Sequence, residues 1–94
     1  MIRHIVAWNL LEGQEDAAAK IKTDLEALKD QLDYLRSIQV YVNTLESSSR
    51  SLVLETTFDN EDDLRRYAVA PEHLKCVDFI KTVTEGRIAL DFQE

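Results

Sequence analysis

Residues 2 to 11, IRHIVAWNLL, contain no glycine or proline, are rich in β-branched and aromatic types, and predict a strand of about ten residues. On such a strand Ile2, His4, Val6, Trp8 and Leu10 share one face, and Arg3, Ile5, Ala7, Asn9 and Leu11 share the other. Both sets contain apolar side chains, and a strand that is apolar on both faces is covered on both faces in the folded protein. A chain of 94 residues is one small domain, residues 1–94, able to bury roughly two thirds of the surface its unfolded form exposes. It therefore has few elements of its own with which to cover two faces.

Those elements follow from the rest of the pattern. Gly13 interrupts the strand, and Glu15 and Asp16 place negative charge at the start of a helix, where the backbone dipole favours it. Ile21, Leu25, Leu28, Leu32 and Leu35 recur at spacings of four, three, four and three, which draws one apolar stripe along that helix. Lys20, Lys22, Asp24, Glu26, Lys29 and Asp30 make the opposite, solvated face. SIQVYVNTL, residues 37 to 45, and SLVLETTF, residues 51 to 58, predict an antiparallel pair joined by the serine-rich turn ESSSRS. Asp59 and Asn60 cap a second helical region that opens on Glu61, Asp62 and Asp63 and runs to about Thr84. Gly86 closes it, and RIALDF, residues 87 to 92, is the last strand.

The order is βαββαβ, an α+β chain that folds most readily as a ferredoxin-like, four-stranded antiparallel sheet with both helices on one face. The other face exposes Ile5, Ala7, Val53, Ile88, Leu90 and Phe92, more contiguous apolar surface than a soluble monomer leaves in water. A second copy packed sheet to sheet, as an isologous homodimer, covers it.

Charge and composition exclude other partners. Eighteen acidic residues stand against eleven basic ones, a formal net charge of -7, and the longest basic block is Arg65-Arg66. A nucleic-acid backbone is repelled by such a surface, and so is an anionic membrane. No apolar run approaches the ~20 residues of a membrane span, and the N-terminus lacks the apolar core of a secretory leader, so a cytoplasmic protein is expected. Cys76 stands alone, which excludes an internal disulfide and fits a reducing compartment. One cysteine and two histidines in unrelated segments match no metal-ligand spacing, and no pattern requires a cofactor.

The second helical region contains the only proline, in RYAVAPEHLK, residues 66 to 75. Pro71 has no amide hydrogen and disfavours the helical conformation at Ala70, so the helix stops by about Val69 and restarts with proline in its first turn. In the restarted helix His73, Val77 and Ile80 fall on one stripe, with Leu64, Tyr67 and Ala68 matching it before the break. If the even positions of the first strand face the helices, His4 enters the same layer as His73 and Tyr67. Arg87, Ala89 and Asp91 enter it from the last strand. A hydrogen bond from His73 to Asp91 would hold the imidazole in one tautomer and raise its basicity, as a general base requires. Plainer roles stand beside these: His73 as a satisfied core histidine, Tyr67 as an amphipathic core filler, His4 as a cap of the sheet, and Asp91 as a partner of Arg87.

The opening MIRHIVAWNL, the join LVLETTFDNEDDLRRY, the kink Y-x-x-x-P-x-H and the closing LDF together resemble the stress-responsive A/B barrel (Dabb) domain over nearly the whole chain. The resemblance implies a dimeric α+β barrel of ferredoxin-like subunits. Its family includes plant stress-associated proteins, many bacterial proteins of no known activity, and a polyketide cyclase that forms olivetolic acid by internal aldol condensation. The family kink is usually Y-x-x-H-P-x-H, so Tyr67, Pro71 and His73 match it, as do His4 in the first strand and Asp91 in the last. Ala70 replaces the first histidine of the kink, and Leu52 stands near the place of another pocket histidine of the cyclase.

Two functional readings follow. In one, His73 supported by Asp91 removes an acidic proton from a carbonyl compound, with Tyr67 as donor to the developing enolate and His4 in the same pocket. In the other, the homodimer binds a small apolar or aromatic ligand without turnover, or serves as a structural subunit.

Overall fold

The computed structural model describes all 94 residues. In chain order they form β1 (Ile2–Leu10), α1 (Ala17–Glu26), α2 (Leu28–Gln31), β2 (Ser37–Tyr41), β3 (Leu52–Phe58), α3 (Glu61–Val69), α4 (Pro71–Val83) and β4 (Thr84–Gln93). The strands make one antiparallel sheet in the order β2-β3-β1-β4, so the apolar β1 lies inside it. Ile2, Val6 and Trp8 of β1 and Leu52, Leu54 and Phe58 of β3 are buried with Ile21, Leu25, Leu28, Leu32, Leu35, Ile80 and Val83 in one core. The predicted faces of these two strands and the predicted helical stripe are therefore the ones that pack.

The helix break falls where Pro71 demands it. Ala70 is extended at φ -64°, ψ 131°, between the end of α3 and Pro71 in the first turn of α4. At the other end of α3 the Asn60 side chain accepts a 2.9 Å hydrogen bond from the Asp63 amide, so the cap is real.

Four local expectations are corrected. The first helix starts at Ala17, and Glu15 and Asp16 lie in the turns before it rather than on its first turn. Its stripe continues beyond the helices, because Leu32 and Leu35 are buried from the connection to β2. Lys22 and Glu26 are not simply solvated: Lys22 Nζ donates to the Val40 carbonyl at 2.8 Å and Glu26 accepts from the Val40 amide at 2.9 Å. Two side chains of α1 thus satisfy the outer edge of β2, which would otherwise offer itself for pairing. β2 itself ends at Tyr41, short of Leu45, and Ser51, expected to open the next strand, bonds β1. Its amide donates to the Trp8 carbonyl at 3.1 Å, and its Oγ accepts from the Leu10 amide at 3.0 Å.

Gly86 does not close the helix; it lies inside β4, which begins directly after α4 at Thr84. The pairs Ala7 with Ile88 and Asn9 with Glu85 leave Trp8 opposite both Gly86 and Arg87, a bulge of one extra residue. Gly86 takes φ +66° there, a conformation glycine adopts without penalty. The bulge decides how the side chains that follow it are aimed.

The face of the sheet away from the helices is open. Ile88, Leu90 and Phe92 are 44%, 56% and 45% exposed on it, and Ile5 and Val53 are half-buried beside them. Ala7, expected to be exposed there, is buried, since its methyl group is sheltered between its cross-strand neighbours Val53 and Ile88. Arg3 ties the rim of this face together, donating to Glu55 at 2.7 Å and pairing with Glu94 at 3.0 Å.

Candidate functional site

The helices do not pack flush against the strands at every point. Between the sheet and α3 and α4 lies a cavity of about 460 Å³, in the range that holds a small organic molecule. Most of its wall is apolar, from Val6, Trp8, Leu25, Leu54, Leu64, Val77 and Ile80. His4, Tyr67 and His73 line it too, and Lys81, Glu85 and Arg87 add charge. Three of the four site residues predicted from sequence therefore meet in one cavity, and the fourth, Asp91, reaches it through His4.

The carboxylate is not where the helical stripe placed it. Asp91 Oδ1 bonds His4 Nδ1, and neither His73 nor Arg87 is its partner. The cause is strand register: His4 and Asp91 stand directly opposite each other on β1 and β4, where cross-strand side chains touch. His4 is only 8% exposed, whereas the Asp91 side chain is 48% exposed, so the carboxylate remains hydrated while it fixes a buried ring. With the proton of Nδ1 directed at Asp91, the lone pair of a neutral His4 sits on Nε2, which has no protein partner.

His73 is placed on the inner face of α4, as predicted, but in a different role. Its ring lies 4.1 Å from that of Tyr67, centroid to centroid, at an angle of 32°. Its Nδ1 is buried without a hydrogen-bond partner. Burial pushes its pKa below the ordinary histidine value; the Ala68 carbonyl opposes this most, the nearby His4 and Arg87 act with burial, and the Tyr67 carbonyl opposes it weakly. His73 is thus held neutral.

Tyr67 occupies the centre of the aromatic group, 5.2 Å from Phe58 and 6.1 Å from His4 between ring centroids. Only 1% of it is exposed, and its hydroxyl has no partner in the protein. A buried hydroxyl without a partner is costly, which marks this group as an unmet donor beside the cavity. Burial also raises its pKa well above the usual phenol range, which keeps it a donor.

Ala70 does not line the cavity; it is buried in the core at the junction of α3 and α4, and Leu52 is fully buried in the sheet. Neither departure from the family pattern leaves a gap in this wall. Arg87 was not among the predicted site residues. The alternation of the last strand put it in the helix-facing layer, and the structure places it at the bulge opposite Trp8, in the cavity wall.

A model of the stress responsive A/B barrel domain (Dabb) matches residues 2–94, all but the first residue. The chain belongs to the stress-responsive A/B barrel family. This Dabb chain is similar in structure to a dimeric protein of unknown function with a ferredoxin-like fold from Bacteroides fragilis NCTC 9343. The two share 28% identity and a TM-score of 0.90, over 99% of this chain and 95% of the other. A dimeric ferredoxin-like protein of unknown function from Thermobifida fusca YX shares 22% identity, with a TM-score of 0.87 over 99% and 90% of the two chains. Hydroxynitrile lyase from Passiflora edulis shares 15% identity, with a TM-score of 0.83 over 97% and 90%. No curated protein matches the chain in sequence. The Dabb fold and the ferredoxin-like topology are thereby established, and dimers occur among its structural neighbours.

The neutral state of His73 has a consequence for stability. Its folded pKa is depressed, so between that value and the ordinary one near 6.5 the unfolded chain binds a proton that the folded chain does not. Stability therefore falls as pH drops through about 6.5 and levels off once pH is below the folded pKa. Melting temperatures measured from pH 7.5 to 5, above the range where most carboxylates titrate, should decline for the native chain and decline less for His73→Phe. Parallel curves for the two proteins would contradict a buried neutral His73.

Proposed function

We propose that this Dabb domain is a homodimer, joined through its open sheet face, that performs acid/base chemistry on a small apolar or aromatic carbonyl compound held between sheet and helices. The observation that carries the reading is the Asp91-supported His4 in a cavity it shares with an unpartnered, buried tyrosine hydroxyl. A purely structural subunit has little use for a buried hydroxyl left without a partner. The half-buried, solitary Cys76 suits a cytosolic setting.

In this reading His4, rather than His73, is the general base. Its Nε2 takes a proton from the carbon next to the substrate carbonyl while Asp91 stabilises the imidazolium that forms. The electron pair of the broken C–H bond becomes the enolate double bond, and negative charge moves to the carbonyl oxygen. The Tyr67 hydroxyl donates a hydrogen bond to that oxygen without surrendering its proton, as its raised pKa favours. The enolate carbon then either recovers a proton from His4 or attacks a second carbonyl of the same molecule, whose oxygen takes the proton. His73, neutral and stacked on Tyr67, holds the phenol ring in place. The fold carries a lyase in Passiflora edulis, but at 15% identity that likeness speaks for the fold alone. The reaction class rests on the side chains of this chain.

The decisive experiment is solvent exchange. Incubated in deuterium oxide with a panel of aryl methyl ketones, the protein should incorporate deuterium at the α-carbon faster than buffer does, as read by proton NMR. Binding of the ketones with no exchange above buffer would replace the enzyme reading with that of a non-catalytic ligand carrier.

A further inference from the structure

We propose that Arg87 anchors a carboxylate, so that the cavity selects a small apolar or aromatic compound that carries a negative charge at one end. This rests on the pocket reading above and names the substrate class for it.

Other arginines of the chain have their charge or donors engaged. Arg3, Arg36 and Arg65 pair with carboxylates, Arg50 donates to the Gly86 carbonyl at 2.8 Å, and the Arg66 guanidinium lies 4.1 Å from the centre of the Tyr34 ring. Arg87 has no ion pair, hydrogen bond or ring contact, in a chain where acids outnumber bases eighteen to eleven. The two acids nearest to it in sequence do not neutralise it: Asp91 bonds His4, and Glu85 lines the same cavity without pairing with it. A guanidinium in solvent at a random surface position needs no explanation. Arg87 is exposed, but its place is not arbitrary: it stands at the bulge opposite Trp8 and lines a cavity together with two other polar groups that have no partner.

Those groups are the Tyr67 hydroxyl and His73 Nδ1, both buried. Arg87, Tyr67 and His73 line the same cavity, and the charge of Arg87 favours the neutral form of the His73 ring. An anionic oxygen suits these groups. The planar fork of arginine matches a carboxylate through two parallel hydrogen bonds. The apolar wall of Val6, Leu54, Val77 and Ile80 then takes the body of the ligand. Lys81, the other cation of the wall, sits 3.6 Å from Asp78 and is partly neutralised.

Trp8 is the only tryptophan, is buried, and lines the cavity, so its fluorescence reports occupation. Phenylacetate and phenylacetamide are matched probes that differ in charge. The native protein should bind the acid about tenfold more tightly than the amide, the scale of one charge-assisted hydrogen-bonded contact. Added salt should erode that preference. Arg87→Gln should remove it, the two probes then binding alike, and Arg87→Lys should retain part of it. Because the Arg87 side chain bonds nothing in the protein, these variants are expected to fold. Equal binding of acid and amide by the native chain would overturn the carboxylate assignment and leave the pocket standing. A preference that survives Arg87→Gln would move the role to another cation and overturn the proposal for Arg87. Failure of both probes to perturb Trp8 would overturn the pocket reading together with this one.

Discussion

His4→Gln is expected to lower α-proton exchange by about a hundred- to ten-thousand-fold, the usual contribution of a positioned general base. Glutamine is close to histidine in size and keeps an N–H to offer Asp91, so the sheet retains its cross-strand contact while the site loses its proton acceptor. Asp91→Asn should produce a smaller loss and a displaced pH profile, because an amide does not stabilise the imidazolium or enforce a single tautomer. His73→Gln should cost far less than His4→Gln, since His73 has no carboxylate partner and supports the Tyr67 ring instead. The three variants together separate base, orienting group and packing. If His73→Gln abolishes exchange while His4→Gln preserves it, the assignment made from register is wrong and the one suggested by the helical stripe is right.

The second large effect concerns assembly. Ile88, Leu90 and Phe92 are each more than two-fifths exposed, on a sheet face with no helix over it. In a sheet-to-sheet dimer Ile88→Asp buries an unpaired carboxylate against apolar neighbours, a cost of several kcal/mol and a weakening of association on the order of a hundredfold or more. Sedimentation velocity at micromolar concentration should show a dimer for the native chain and a monomer, or an unfolded chain, for the variant. Leu45→Asp is the matched control: Leu45 is 77% exposed but lies in the β2–β3 connection, outside the sheet, and its replacement should leave the dimer intact. A native dimer that tolerates Ile88→Asp would mean that another surface makes the contact.

Much of this protein is written in local pattern. The strand and helix order, the alternating faces of β1 and β3, the Asn60 cap and the helix break at Pro71 all follow from backbone chemistry and side-chain period over a few residues. The family follows from the same stretches. The candidate site was legible as a set of positions: His4, Tyr67, His73 and Asp91 converge as the faces of their elements predict. The pairing within that set was not, because a helical stripe says which way His73 points but nothing about which side chain stands beside it. A signal for the true pair was present in the ends of the chain. If β1 and β4 are antiparallel neighbours with their outer ends level, Ile2 meets Gln93 and His4 meets Asp91. Arg87 was legible only as a member of the helix-facing layer; its position opposite Trp8 comes from a bulge that shifts register between Ala7 and Asn9.

By itself, then, the sequence determined the elements, their inner faces, the family and the list of polar groups that enter the helix-facing layer. Those properties depend on residues close together in the chain, where φ/ψ preference and the 2.0- and 3.6-residue periods act directly. The tertiary structure alone decided that Asp91 serves His4, that His73 and Tyr67 stand stacked without partners, that Gly86 makes a bulge rather than a helix end, and that Arg87 joins the cavity wall. Each of these depends on contacts between distant segments, set by hydrogen-bond register across the sheet and by the way α3 and α4 lie over it. A shift of one residue in that register would send the Asp91 side chain to the opposite face, with no change in the amino-acid sequence.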